Sequence, residues 1–448
     1  MLRVVAVALV ASVACSSPQL RVIDGPILEP ATPADGYTTW TPDPLGQVIF
    51  VSSSQGDDEN DGRSAETPFR TIARGVTDLR DGSGDWMVLR RDDVFEEPLG
   101  TWTKSGRSAA NPILIGAYGS GEHRPRLETG AAAALVVEAG ASVHHLVLVG
   151  LTLSANARDP RTAAAVQDGQ PAIVWLGTGG GLTIEDCTIR YYTTAIHAAG
   201  PGLSSVVARR SSVVRTWAPD SVFPQGNGIF AENVTGLTVE EVLFDHVGWD
   251  ERVAGGQRNL AGHALNVKES CRDVVLRDNV IVDSSSHGVL AVPADLEATG
   301  NVLSGNAIAF AVGGRVDVGD NLVLDGMDIG DAPRAGGISF TGEVEGSVHD
   351  NLVARAHTVL DTTLSIEQRA TVQYANNVVF DWADDPLNQS GPFADPSRSL
   401  ASFDATVGGP GTVEHLVGAL EAQSRAQYDP ALSTAAIRAH VWEGFRPP

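Results

Sequence analysis

Lysine is nearly missing from this chain: of 31 basic residues only Lys104 and Lys268 are lysines, against 55 acidic residues, and the formal charge is −24. Such a surface repels phosphate backbones, so no nucleic-acid partner is expected. It also disfavours polyanionic sugars, unless a local cluster of arginine or a bound cation reverses the sign. Cysteine is scarce too. Cys15, Cys187 and Cys271 are too few and too far apart to set a disulfide framework or a metal spacing. Cys187 and Cys271 read as small buried or turn residues. After the first residues no apolar run is long enough to cross a membrane as a helix.

The opening MLRVVAVALVASVACSS is the exception. Arg3 precedes an apolar stretch from Val4 to Val13, too short to span a bilayer, which reads as an export signal. It ends at Ala14-Cys15 and resembles a lipoprotein cleavage box, which makes Cys15 the lipidated residue. Ser12 stands where that box usually has an aliphatic residue, and the alternative is an ordinary secretory signal cleaved nearby. The expectation is a bacterial protein exported from the cytoplasm and lipid-anchored at the outer membrane or cell surface. Residues 16–45, rich in Pro and Ser and without periodicity, read as a flexible tether following the signal at 1–15.

What is abundant is glycine, 48 residues, together with Val, Ile and Thr, a composition of short strands and frequent turns. A pattern recurs: apolar, any, apolar, two polar, a turn residue, any, apolar. Clear copies are VVLRDNVI at Val274, LEATGNVL at Leu296, VDVGDNLV at Val316 and TVQYANNVV at Thr371; weaker ones begin at Leu182 and Leu237. The turn residue falls at Cys187, Val242, Asn279, Asn301, Asn321, Asn351 and Asn377. A period of 20 to 30 residues with alternating short strands and a recurring Asn predicts a single-stranded right-handed parallel β-helix over 46–385. Each short strand buries its apolar face only by stacking on the next coil, and turn asparagines can bond along the stack. A leucine-rich repeat lacks its Leu spacing and helical half here. The final 386–448 predicts a loop and two helices, Gly411 to Gln427 and Pro430 to Phe445, that cover the last coil or pack on its side.

The stretches VSSSQGDDENDGRSAETPFRTIARGV, GDWMVLRRDDVFEEPL and NPILIGAYGSGEHRPRL resemble the opening of bacterial pectate-lyase-like right-handed β-helix proteins. FDHVGWDE, GHALNVK, SSSHGVLAVP and the tail SRSLASFDATVGGPGTVEHLVGALEAQSR resemble a group of such repeat proteins with no established reaction. The resemblance spans nearly everything after the tether and implies the pectate-lyase-like solenoid fold. The motifs of polygalacturonase-like hydrolases, calcium-dependent pectate lyases and DPHD-type epimerases are not matched.

Aligning coils on the turn residue places Asn227, His263 and His287 at the start of successive strands, with Asn306 just after. His263 and His287 are therefore predicted neighbours, as are Glu232 and Lys268. The longest insertion, Asp245 to Gly262, carries His246, Trp249, Asp250, Glu251, Arg252 and Arg258. Long loops on solenoids are often functional. Asp283 follows Asn279 at nearly the offset of Asp245 and His246 from Val242, so Asp245, His246, His263, Asp283 and His287 are expected to form one polar cluster.

Two chemistries suit these residues. A lyase needs a base for the proton beside a uronic carboxylate and a cation to neutralise that carboxylate. His263, His287 and Lys268 are the base candidates, with His246 beside them. Lys268, Arg252 or Arg258 would stabilise charge, and Asp245, Asp250 or Asp283 would orient. Trp249 is a candidate sugar platform, and Glu251 belongs with the substrate-binding loop. A glycoside hydrolase needs two carboxylates about 5 to 9.5 Å apart. The competing reading is a stacked, structural histidine pair, with Lys268 balancing Glu232. GDDENDG offers Asp57, Asp58 and Asp61 as candidate Ca²⁺ ligands, against an Asx-rich turn. The expected partner is a polysaccharide or cell-surface glycan met by a monomer. Catalysis is one expectation, and non-catalytic binding of a glycan or protein partner is the other.

Overall fold

The computed structural model describes residue 28 and residues 36–162, 165, 168–218, 226–254, 256–327, 329, 336–356, 366–367, 369–380 and 413–445. Cys15, the expected signal peptide and most of the expected tether lie outside the described residues. One coil comprises the strands Asn227–Ala231, Val234–Glu240 and Leu243–Asp245. The next comprises Leu265–Val267, Arg272–Arg277 and Val280–Val282, and the one after it His287–Ala291, Asp295–Thr299 and Val302–Ser304. Every strand pairs in parallel with its counterpart on adjacent coils. The result is a right-handed parallel β-helix of three faces. Among the described residues the third strands make an 11-stranded sheet. The first and second make a 19-stranded sheet that turns a corner, because Ile308–Gly319 and Gly336–His349 pass through it unbroken.

The apolar-any-apolar start of the sequence pattern is the second strand. Its first apolar residue stacks in register as Leu182, Val206, Leu237, Val274, Leu296 and Val316, all buried. Each such side chain contributes roughly 1.5–3 kcal/mol relative to exposure. The turn that follows needs a left-handed residue, supplied by Asp278, Gly300, Asp320, Asp350 and Asn376, types that tolerate this conformation. Next comes the ladder. Asn279, Asn301, Asn321, Asn351 and Asn377 are buried. The Oδ1 of each accepts from the backbone N and Nδ2 of the preceding one at 2.8–3.2 Å. Val242 ends the ladder by donating its N–H to Asn279 Oδ1 at 3.1 Å. Ser211, unmarked in the sequence pattern, fills the same turn and accepts from Cys187 N. Cys187 and Cys271 are buried and unpaired.

The third strands are apolar on both sides. Their outer column of Leu243, Val280, Val302, Leu322, Leu352 and Val378 needs a cover, and Val413, Ile437 and Val441 of the helices Val413–Ala422 and Thr434–Phe445 provide it. The C-terminal helices thus pack on the side of the solenoid. At the other end Thr71 caps the helix Ile72–Asp78, and Lys104 Nζ donates to the carbonyls of Val76 and Leu79. One of the two lysines is thereby structural.

Within the end of the expected tether, Tyr37, Thr38 and Asp43 contact the solenoid. Tyr37 packs edge-on to Tyr428 at 5.6 Å and beneath the Arg210 guanidinium at 4.5 Å. Thr38 donates its N–H and hydroxyl to the fully buried Glu185, 147 positions away. Glu185 also meets Arg209 at 3.4 Å and the buried Arg425 at 2.6 Å. One carboxylate therefore ties the segments that precede and follow the solenoid to a coil. Removing a partner strands a buried charge. Arg425→Ala is expected to cost about 3 kcal/mol, the low end of such losses because Arg209 remains; urea unfolding measures it.

Candidate functional site

The corner between the third strand of one coil and the first strand of the next takes a left-handed residue four positions after the turn residue on six coils. Tyr191, Arg215, His246, Asp283, Gly305 and Asp325 occupy it, with φ of 68, 53, 50, 54, 67 and 54°. Arg215 N donates to Asp245 O, His246 N to Val282 O and Asp283 N to Ser304 O, so these corners stack coil on coil. The strand residues before them, Val214, Asp245 and Val282, are in register. His246 and Asp283 are therefore equivalent positions on successive coils, as the offset from the turn residue predicted.

At this corner Asp245, His246 and Asp283 bring one atom each within 4.8 Å of the others; among the described residues they are the group arranged so. His246 Nδ1 lies 2.7 Å from Asp245 Oδ1. An ionised carboxylate only accepts, so in the neutral imidazole Nδ1 carries the proton and Nε2 keeps the lone pair. The His246 side chain is one-fifth exposed, at 20%, and that of Asp283 is 41% exposed. Trp249 donates its indole N–H to Asp283 O at 2.6 Å. Its ring is already stacked within the protein, with His246 at 5.1 Å and Arg258 at 4.2 Å, which leaves it poorly placed as a sugar platform. Arg258 Nη2 donates to Asp283 Oδ1, and its Nη1 to the carbonyls of Ser284 and Gly305. Arg258 thus pins the insertion to two further coils.

His263 and His287 also meet, with ring centroids 4.8 Å apart and edge-on, as the register predicted. They do not join the corner group. The fully buried Ser284, Ser285 and Ser286 separate Asp283 from His287, and His263 is only 6% exposed. Its Nδ1 has no hydrogen-bond partner. Burial, with His287 and Lys268 adding to it, pushes the His263 pKa down to about 3. A polymer cannot reach that ring, which corrects its place among the candidate bases. A pH effect follows. The unfolded imidazole titrates near 6.5 and the folded one near 3. Between these values only the unfolded chain takes up the proton, so stability falls as pH drops below 6.5. From pH 7.5 to 5 this one group removes about 2 kcal/mol. In urea titrations at both pH values, His263→Gln is expected to lose that much less than the wild type.

Lys268 and Glu232 are in register, since Ala231 pairs with Val267. Lys268 Nζ nevertheless sits over the Phe230 ring at 5.3 Å, and Glu232 is exposed; no ion pair joins them among the described residues. A flat apolar face beside the stem wins over a solvated carboxylate. Asp250 is fully buried and bridges Arg215 at 3.1 Å and Arg252 at 2.6 Å. Burial opposes its ionisation, yet the two guanidiniums hold its carboxyl below the usual range. Glu251 is exposed. Asp57, Asp58 and Asp61 do not converge. Asp58 accepts from Arg70 N and Thr71, Asp61 from Arg63 N and Thr67, and Asp57 from Glu59 N. Sequence reading passed over Arg215, although its offset of four from Ser211 marks it as a corner residue.

No protein-family model and no curated protein matches the sequence. Solved structures to which it is similar include an alginate lyase from Paenibacillus sp., 13% identical over 75% of this chain and 98% of that one, with a TM-score of 0.41. A rhamnogalacturonan lyase is 12% identical over 74% and 87%, with a TM-score of 0.43. The GH136 lacto-N-biosidase from Eubacterium ramulus is 14% identical over 75% and 67%, with a TM-score of 0.42. Likeness at this level bears on neither the substrate nor the reaction of this chain.

Proposed function

We propose that this protein is exported and acts on an extracellular polysaccharide at the corner of Asp245, His246 and Asp283, by a lyase-type reaction. The observation that carries the reading is the Asp245–His246 pair, with one-fifth of the His246 side chain exposed, at a corner beneath the longest insertion. Asp245 fixes the tautomer, and His246 Nε2 is left as a base for the proton beside a uronic carboxylate. Arg215 and Arg252 both meet Asp250, and Arg215 N bonds Asp245 O at the corner, which puts a guanidinium near for that carboxylate. Hydrolysis is less favoured, because Asp245 is committed to His246 and Asp283 to Arg258, and neither is placed to donate a proton. The second reading, binding without turnover, is favoured by the same commitment of both carboxylates to protein partners.

Ca²⁺ takes six to eight oxygen ligands. The corner offers two carboxylates, one already held by Arg258, and a ring nitrogen. That donor set does not fit Ca²⁺, and no step of this reading uses a metal. The test is a panel of acidic and neutral polysaccharides with the purified protein, with and without added Ca²⁺. Absorbance of unsaturated products is the expected signal. Reducing ends without that absorbance would replace lyase by hydrolase, and silence in both assays with no retention on any glycan would overturn the reading. Export and anchoring through Cys15 belong to the same proposal. Cys15→Ser is expected to move the protein from the membrane fraction to the soluble one, and unchanged partitioning would refute the anchor.

A further inference from the structure

A second polar site lies where the helix Val413–Ala422 meets the third face. It is a cleft of about 500 Å³ lined by Arg91, His123, Arg124, Arg126, Arg190 and Glu421. Four arginines converge there on a protein whose net charge is −24. Topology makes the cluster: Arg126, Thr152 and Thr188 are register partners on three successive coils, and Arg190 ends the same strand as Thr188. Arg124 is anchored from below, with Nη2 2.7 Å from Asp186 and 2.5 Å from Gln423 O, while its buried Nε has no partner. Arg126 lies beside Glu128 at 2.8 Å. Arg190 makes no ion pair among the described residues; its Nε reaches Ser154 Oγ at 3.4 Å and its guanidinium lies 5.4 Å from the Tyr191 ring. On the helix side stands Glu421, whose pKa burial raises against the opposing pull of Arg190. Glu122 is the other acidic group on the lining.

We propose that this cleft binds a tetrahedral oxyanion, a phosphate or sulfate group, between Arg190, Arg126 and Arg124, and that the bound anion fastens the C-terminal helix to the solenoid. Guanidiniums arriving from several directions suit a group with oxygens on several sides, and charge-assisted hydrogen bonds to it are strong. A planar carboxylate offers two oxygens and engages fewer of them. Because Gln423 O is held by Arg124 and Glu421 lines the cleft, a bound anion links coils and helix through one set of arginines. The proposal does not use the Asp245–His246 corner and stands or falls separately from the polysaccharide reading.

The experiment is titration calorimetry of the intact chain with inorganic phosphate, inorganic sulfate, glucose 6-phosphate and glucuronate, at constant ionic strength. Saturable one-site binding of phosphate or sulfate is expected. Arg190→Met is expected to weaken it about 10- to 100-fold, the loss of one charge-assisted hydrogen bond. The exposed Arg272→Met, away from the cleft, should leave it unchanged. Arg126→Met serves as a second variant should Arg190→Met fold poorly. Equal or tighter binding of glucose 6-phosphate would identify an ester group as the natural source, and rejection of it the free ion. Slower amide exchange in residues 413–422 with phosphate present is the expected second readout. Tighter binding of glucuronate than of phosphate, binding untouched by both arginine variants, or heats that follow only ionic strength would overturn the proposal.

Discussion

Replacing His246 by alanine is expected to lower turnover on the active polysaccharide about 10²- to 10⁴-fold, the usual contribution of a positioned general base, with the KM nearly unchanged. The argument runs from backbone to proton. A left-handed residue four positions after the turn sets His246 on the outside of the corner. Its neighbour Asp245 takes Nδ1 at 2.7 Å, and the lone pair on Nε2 is what remains. His263→Ala is expected to leave the rate within a few-fold, because that ring is buried away from any polymer. Initial rates of the two variants at saturating substrate separate the two histidine sites. A large loss in His263→Ala together with full activity in His246→Ala would invert the assignment.

Asn321→Ala carries the largest expected stability loss, about 4 kcal/mol from four lost side-chain hydrogen bonds and one buried backbone N–H left without a partner. Asn321 Oδ1 accepts from Asn301 N and Nδ2, and Asn321 Nδ2 donates to Ala298 O and Asn351 Oδ1. Alanine strands the Asn301 N–H inside the solenoid and removes the amide that bonds Ala298 O and Asn351 Oδ1. The position lies in the middle of the ladder, so its loss interrupts the ladder on both sides. Chemical denaturation gives the number. Val242→Ala, at the ladder's edge, breaks no side-chain hydrogen bond there, and its cost is expected to be that of lost apolar packing alone.

The β-helix was legible because its turn asparagines recur and because stacking turns a sequence offset into a neighbour. His263 beside His287 and His246 above Asp283 both follow from counting from the turn residue. What the count does not carry is depth. Period-two alternation marks inside and outside along a strand but breaks at the corners, so nothing local told that His263 is sealed while His246 keeps one-fifth of its side chain exposed. Lys268 was expected on Glu232 because register fixes Cα positions, whereas the long side chain chose the face of Phe230. The docking of Thr38 on Glu185 and the arginine cleft join segments far apart in sequence. Those contacts arise from side chains on different coils and helices and leave no periodic trace. Trp249 was legible as an exposed-loop aromatic, but its stacking between its own neighbours was not.

The claim that a glycan is held at the Asp245–His246–Asp283 corner is tested most directly by hydrogen–deuterium exchange, with and without the best glycan from the panel. The account predicts slowed exchange in peptides covering 243–262 and 280–287 and no change across the second face, for example at 295–299. Protection confined to the arginine cleft, or absent from both corner segments while the glycan is demonstrably bound, would contradict it.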